Sequence, residues 1–128
     1  MSAAETIPPI HDVEFSAEAS AGGGKQFQIK LVGNADLNVK TQLDRFITAV
    51  HDEARKSHAD EVLVDLRGLE FMNSSCLKSF VWWISTVQDL APEPNYRIVF
   101  LSSPSMYWQR RSLNALACLA TDLVSVQV

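Results

Sequence analysis

Two adjacent hydroxyls, Ser74 and Ser75, stand between a short apolar run, Val62-Leu63-Val64-Asp65-Leu66, and the start of a strongly apolar helical pattern. A helix begins with backbone N–H groups that have no intrahelical partner and carries a partial positive charge there, so a serine at that point can hold a phosphate ester favourably. The same position suits a serine that does nothing but cap the helix. Cys76, at the same helix mouth, has two readings as well: a thiol of lowered pKa open to oxidants, or a small space-filling residue.

Little else in the chain suggests catalysis. The G-x-S-x-G, phosphate-loop and H-E-x-x-H patterns are absent, and His11, His51 and His58 lie on separate segments where each is expected at the surface. A serine nucleophile in the turn would lack a nearby base. Asp65 sits on a strand, as a phospho-accepting aspartate does. That chemistry needs an acidic cluster for magnesium, and Val32-Gly33-Asn34-Ala35-Asp36 does not supply one. A non-enzymatic protein without cofactor, catalytic residues or metal site is expected.

The elements that position the serine turn can be read from periodicity. Val13, Phe15 and Ala17 alternate with polar residues and predict a strand over Asp12 to Ala17; Phe27, Ile29 and Leu31 predict a second after a glycine-rich turn at Ala19 to Gly24. Leu43, Phe46, Ile47, Val50 and Ala54 recur every three or four residues, giving an amphipathic helix from about Val39 to Lys56. A second helix runs from Ser75 to Gln88, with Leu77, Phe80, Val81, Ile84 and Val87 on its inner face, Trp83 at the margin, and Trp82 outside beside Lys78 and Thr86. Pro92-Glu93-Pro94-Asn95 makes a loop, Tyr96 to Leu101 a strand, and Ser103-Pro104 an N-cap and first position of a third helix carrying Leu113, Leu116, Ala117 and Ala120. Leu123 to Val128 closes as a last strand. The order implies an α/β fold: an open, mostly parallel sheet of about five strands with an N-terminal hairpin and three main helices.

The chain's 128 residues fit one domain, in the usual range of ~100 to 150. Residues 1–10, with Pro8 and Pro9, read as a flexible lead-in, and 11–128 as the domain. A net charge of -4, with no basic cluster larger than a doublet such as Arg110-Arg111, disfavours nucleic acid. No apolar run reaches the ~18 to 20 residues that span a bilayer, and the N-terminus does not resemble a secretory signal, so a cytoplasmic protein away from membranes is expected. Cys76 and Cys118 show no C-x-x-C spacing.

The segment Val64-Asp65-Leu66-Arg67-Gly68-Leu69-Glu70-Phe71-Met72-Asn73-Ser74-Ser75-Cys76-Leu77 resembles the signature of STAS domains, the family of bacterial anti-sigma factor antagonists: a strand D-L-x-x-L/V-x-F-M/I, then D-S-S/T-G-L. Leu31-Val32-Gly33-Asn34-Ala35-Asp36 is similar to the family's L-x-G-x-x-D, and Leu101-Ser102-Ser103-Pro104 to the turn before its third helix. The likeness covers roughly residues 11 to 128. Two positions depart: Asn73 replaces the aspartate and Cys76 the glycine.

The resemblance implies a partner-switching module of signal transduction and transcription regulation. Its partner would be a serine kinase that is also an anti-sigma factor, and Ser74 would be its phosphoacceptor, with Ser75 the weaker candidate. Loops at the carboxyl ends of parallel strands are where partners usually dock. On that ground Asp36 is expected near Ser74, and Asp36, Asn73, Ser74, Cys76, Lys78, Trp82 and Ser103 are the partner-binding candidates, with Met106-Tyr107-Trp108 as a further apolar patch. A homodimer is compatible with the sequence. The alternative is a scaffold or small-ligand sensor within a larger signalling assembly, Asn73 and Cys76 marking a lost phosphoswitch.

Overall fold

The computed structural model describes residues 7–21, 24–90 and 96–128. The lead-in through residue 6, the centre of the glycine turn at 22–23 and the proline loop at 91–95 lie outside them. The elements are β1 (Ile10–His11), β2 (Phe15–Ala21), β3 (Gln26–Ala35), a 3₁₀ turn (Leu37–Val39), α1 (Lys40–Lys56), β4 (Glu61–Met72), α2 (Ser74–Gln88), β5 (Arg97–Leu101), α3 (Tyr107–Leu119) and β6 (Val124–Gln127). They build a six-stranded sheet in sequential order. β1 to β3 are antiparallel and β3 to β6 parallel, the α/β architecture expected from the sequence.

The additional strand is β1, where Ile10 pairs with Ala17 and His11 with Ser16. Ile7 and Ile10 are buried in the core, so the chain is already packed before residue 11, and the lead-in drawn over 1–10 is too long at its inner end.

Helices α1, α2 and α3 each connect two neighbouring parallel strands, and the right-handed rule for such crossovers puts all three on one face. The burial alternation agrees. Phe27, Ile29 and Leu31 on β3 and Ile98 and Phe100 on β5 are sealed under the helices, while Glu18 and Lys30 on the other face are exposed. α1 buries the predicted stripe of Leu43, Phe46, Ile47, Val50 and Ala54. On α2, Trp83 is fully buried instead of marginal, and Val81 is 36 % exposed instead of inside.

β4 is twelve residues long rather than ending at Leu66. It stays paired with β3 by taking in extra residues: Lys30 faces Asp65, Val32 faces Gly68, and Asn34 faces Phe71. Each such bulge leaves carbonyls without a partner across the ladder and bends the strand. β3 also runs on, to Ala35, through Gly33 at φ +100°. A Cβ at Gly33 would stand 2.0 Å from the Glu14 carbonyl oxygen, so only glycine lets the hairpin close there.

Candidate functional site

β3, β4 and β5 are parallel and end at one edge of the sheet, at Ala35, Met72 and Leu101. The connections to α1, α2 and α3 leave from that edge. Two bonds tie the first pair together: the Asn73 N–H donates to the Ala35 carbonyl at 2.7 Å, and the Cys76 Sγ donates to the Asp36 carbonyl at 3.2 Å. The placement of Asp36 beside the serine turn is thus met by the backbone.

The cap of α2 is Asn73, not a serine. Its backbone is extended, and its Oδ1 accepts the Ser75 N–H at 2.6 Å. Ser74 therefore occupies the first helical position with its side chain exposed, and its hydroxyl has no hydrogen-bond partner among the described residues. Ser75 is half-buried.

Cys76 is fully buried, and burial pushes its thiol up, outweighing the Lys40 charge that pulls it down. The expectation that it contacts a partner is corrected, as is the reading of it as a reactive thiol: the helix points this side chain inward, under the Asp36 carbonyl.

Deeper along the α1–α2 seam, Lys40 donates to both carboxylate oxygens of Asp44, at 2.9 and 2.7 Å, and to the Ser79 Oγ at 3.1 Å, while Ser79 donates to Asp44 at 2.5 Å. A serine, a lysine and an aspartate meet here, but Ser79 is buried and has no approach for a substrate.

Ser74, Lys78 and Trp82 recur every four residues and form one exposed stripe along α2, which brings three of the sequence candidates together. Trp82 is 47 % exposed, about 12 Å from Ser74 along the axis, and meets His51 edge-on at 6.5 Å between ring centroids. Asp36 serves at the neighbouring turn, its Oδ1 accepting the Asn38 N–H at 2.9 Å.

Ser103 borders the same edge, half-buried, but it does not cap α3. Residues 103 to 105 form a turn closed by the Met106 N–H on the Ser103 carbonyl at 3.1 Å, and the helix starts at Tyr107, with Met106 as N-cap and no side-chain cap bond.

Asp65 is not free to accept phosphate. It is buried, and its carboxylate takes the Arg67 backbone N–H and Nε on Oδ1 and Nη2 on Oδ2, at 2.9 to 3.0 Å. The hydrogen bonds from Arg67 hold its pKa below the usual carboxylate range.

With this geometry in hand, comparison with solved structures identifies the architecture: the crystal structure of an anti-sigma factor antagonist from Mycobacterium paratuberculosis superposes with a TM-score of 0.62 at 17% identity, covering 82% of this chain and 81% of that one. The fold is STAS-like. No family model matches the sequence, and no curated protein matches it significantly.

Within this STAS-like domain two side-chain constellations escaped the sequence reading. Gln109 is fully buried and donates its Nε2 to the Leu66 and Leu69 carbonyls at 2.6 and 2.9 Å, while its Oε1 accepts the Ser103 N–H at 2.8 Å. Trp108 donates its Nε1 to the Glu70 carbonyl at 2.9 Å. Leu66 and Glu70 are residues that the β4 bulges leave without a partner on β3, so α3 supplies the missing donors. Gln109 is the third helical residue, the position from which glutamine reaches back to a preceding N–H. Starting the helix at Ser103 hid that signal.

The second constellation lies at the other end of the α1–α2 seam. Tyr96 Oη accepts the Trp83 Nε1–H at 2.6 Å and meets His51 Nδ1 at 2.6 Å. The indole only donates, and the direction of the Tyr96–His51 bond is set by the imidazole tautomer. His51 is buried rather than at the surface, and desolvation lowers its pKa, against the pull of Asp52. Burial pushes the Tyr96 phenol up. The described helices include none long and apolar enough to cross a membrane.

Proposed function

We propose that this domain is a non-enzymatic partner-switching module of the anti-sigma factor antagonist kind, which docks a serine kinase or anti-sigma factor along the edge around Ser74 and releases it when Ser74 is phosphorylated. A cytoplasmic setting goes with this reading. The observation that carries it is the Ser74 hydroxyl: exposed, unbonded among the described residues and first in α2, in a fold shared with an anti-sigma factor antagonist.

Phosphate adds about -1.5 to -2 charges and three acceptor oxygens. At the mouth of α2 the helix dipole favours it by ~0.3 to 1 kcal/mol, so the fold tolerates the modification. Lys78, one turn along the exposed stripe, offers a cation on the same face. A partner packed over Ser74 would instead have to bury a new charge beside Asp36, at a cost of several kcal/mol if it is left unpaired. The asymmetry between a tolerant fold and an intolerant interface is what makes a switch.

Incubation with ATP and a serine kinase from the neighbouring operon should raise the intact mass by one phosphate, and Ser74→Ala should abolish the gain. Partner binding should survive Ser74→Ala and weaken on Trp82→Ala. A Ser74→Ala protein that still gains phosphate would overturn the assignment. Loss of binding with Trp82→Ala, with no mass gain in the parent, would favour the scaffold reading that Asn73 and Cys76 motivate.

A further inference from the structure

The first half of α3 reverses the sign of the molecule. The chain carries 15 acidic residues against 11 lysines and arginines, yet α3 has Arg110 and Arg111 and no acidic residue. Both arginines are exposed, and among the described residues neither has a carboxylate within ion-pair distance. They line a shallow cleft of about 750 Å³ with Tyr107, Trp108 and Ser112. Tyr107 is 86 % exposed, and Trp108 is held in place by its bond to Glu70.

Neither arginine serves the helix. Cations stabilise a helix at its carboxyl end, and these sit one turn from the amino end, where the dipole opposes them. Arginine next to an exposed aromatic ring, here Tyr107 with the partly buried Trp108 behind it, is the composition of protein interfaces, and unpaired charges draw in a complementary partner. Two arginines on a chain of net charge -4 are too few to follow a nucleic-acid backbone or to hold an anionic bilayer.

We propose that the N-terminal half of α3 is a docking surface for an acidic segment of a protein partner, Arg110 and Arg111 meeting its carboxylates while Tyr107 and Trp108 cover an apolar side chain between them. This surface does not depend on phosphate at Ser74, and its test uses no kinase.

The test titrates ¹⁵N-labelled protein with a short peptide alternating glutamate and leucine, at low and at physiological ionic strength. The Trp108 indole N–H and the amides of residues 107 to 112 should shift, and binding should weaken as salt rises. Arg110→Ala with Arg111→Ala should reduce affinity at least about tenfold while the rest of the amide spectrum stays in place, and the paired glutamine variants should do the same. A peptide alternating lysine and leucine should not bind. The proposal is overturned if the acidic peptide produces no shifts or shifts elsewhere, or if the double variants bind it unchanged. Tighter binding of an oligothymidine or of phosphatidylglycerol vesicles at these residues overturns it as well.

Discussion

The Asn73 side chain accepts the Ser75 N–H at 2.6 Å, so the residue before the candidate phosphoacceptor, not the serine itself, closes the end of α2. This division of labour frees the Ser74 hydroxyl for another use. Asn73→Ala should destabilise the domain by about 1 kcal/mol in urea unfolding, and Asn73→Asp should retain the cap. An alanine variant as stable as the parent would show that the cap carries no weight.

Thiol accessibility separates the two cysteines. Cys118 is exposed and Cys76 buried with its thiol pushed up, so a disulfide reagent should label Cys118 quickly and Cys76 only on unfolding. Cys76→Gly, the glycine of the STAS signature that this segment resembles, should cost about 1 to 3 kcal/mol through lost burial and lower helix propensity. Rapid native labelling of Cys76 in a Cys118→Ser protein would contradict the inward geometry.

The pH dependence follows from His51. Its folded-state pKa lies below the ordinary 6.5, so as pH falls the unfolded chain takes up the proton first. The stability associated with neutral His51 is full above about pH 6.5 and declines as pH drops through the interval down to the folded value. His51→Gln should flatten that slope in denaturation midpoints measured across pH 5 to 8, an interval set by the histidine's ordinary range of roughly those limits. Tyr96→Phe should cost about 1 to 3 kcal/mol by orphaning the Trp83 N–H.

Gln109→Leu keeps approximate volume but removes two donors and one acceptor from buried backbone groups, a loss of about 3 kcal/mol. Hydrogen exchange should rise along residues 66 to 73 and at Ser103, and much less in β2 and α1. Uniform acceleration across the sheet would instead mean that Gln109 supports only global stability.

Gly33→Ala should be among the most damaging single changes, about 3 kcal/mol or more, because its Cβ would meet the Glu14 carbonyl at a positive φ. Calorimetry should show a lowered melting point without loss of the α/β signature in circular dichroism.

Periodicity and punctuation made the main elements and their order legible: alternation in Phe27, Ile29 and Leu31, three-and-four spacing in Leu43 to Ala54, and the apolar run from Val62. Those patterns are local, and they also placed Ser74 where a strand gives way to a helix. What they could not show was how far β4 continues, since a bulged strand has no constant period and its spare carbonyls are satisfied by Gln109 and Trp108 from a helix about forty residues later. Burial of Cys76 and His51 and exposure of Tyr107 were likewise decided only when helices packed on the sheet, because the facing of a residue in a first turn, as Cys76 and Tyr107 are, or of a polar residue within a helix, as His51 is, depends on the neighbouring elements. The chain alone therefore determined a parallel α/β domain with a hydroxyl at a helix mouth. Tertiary packing decided which side chains around that hydroxyl remain outside to meet another molecule.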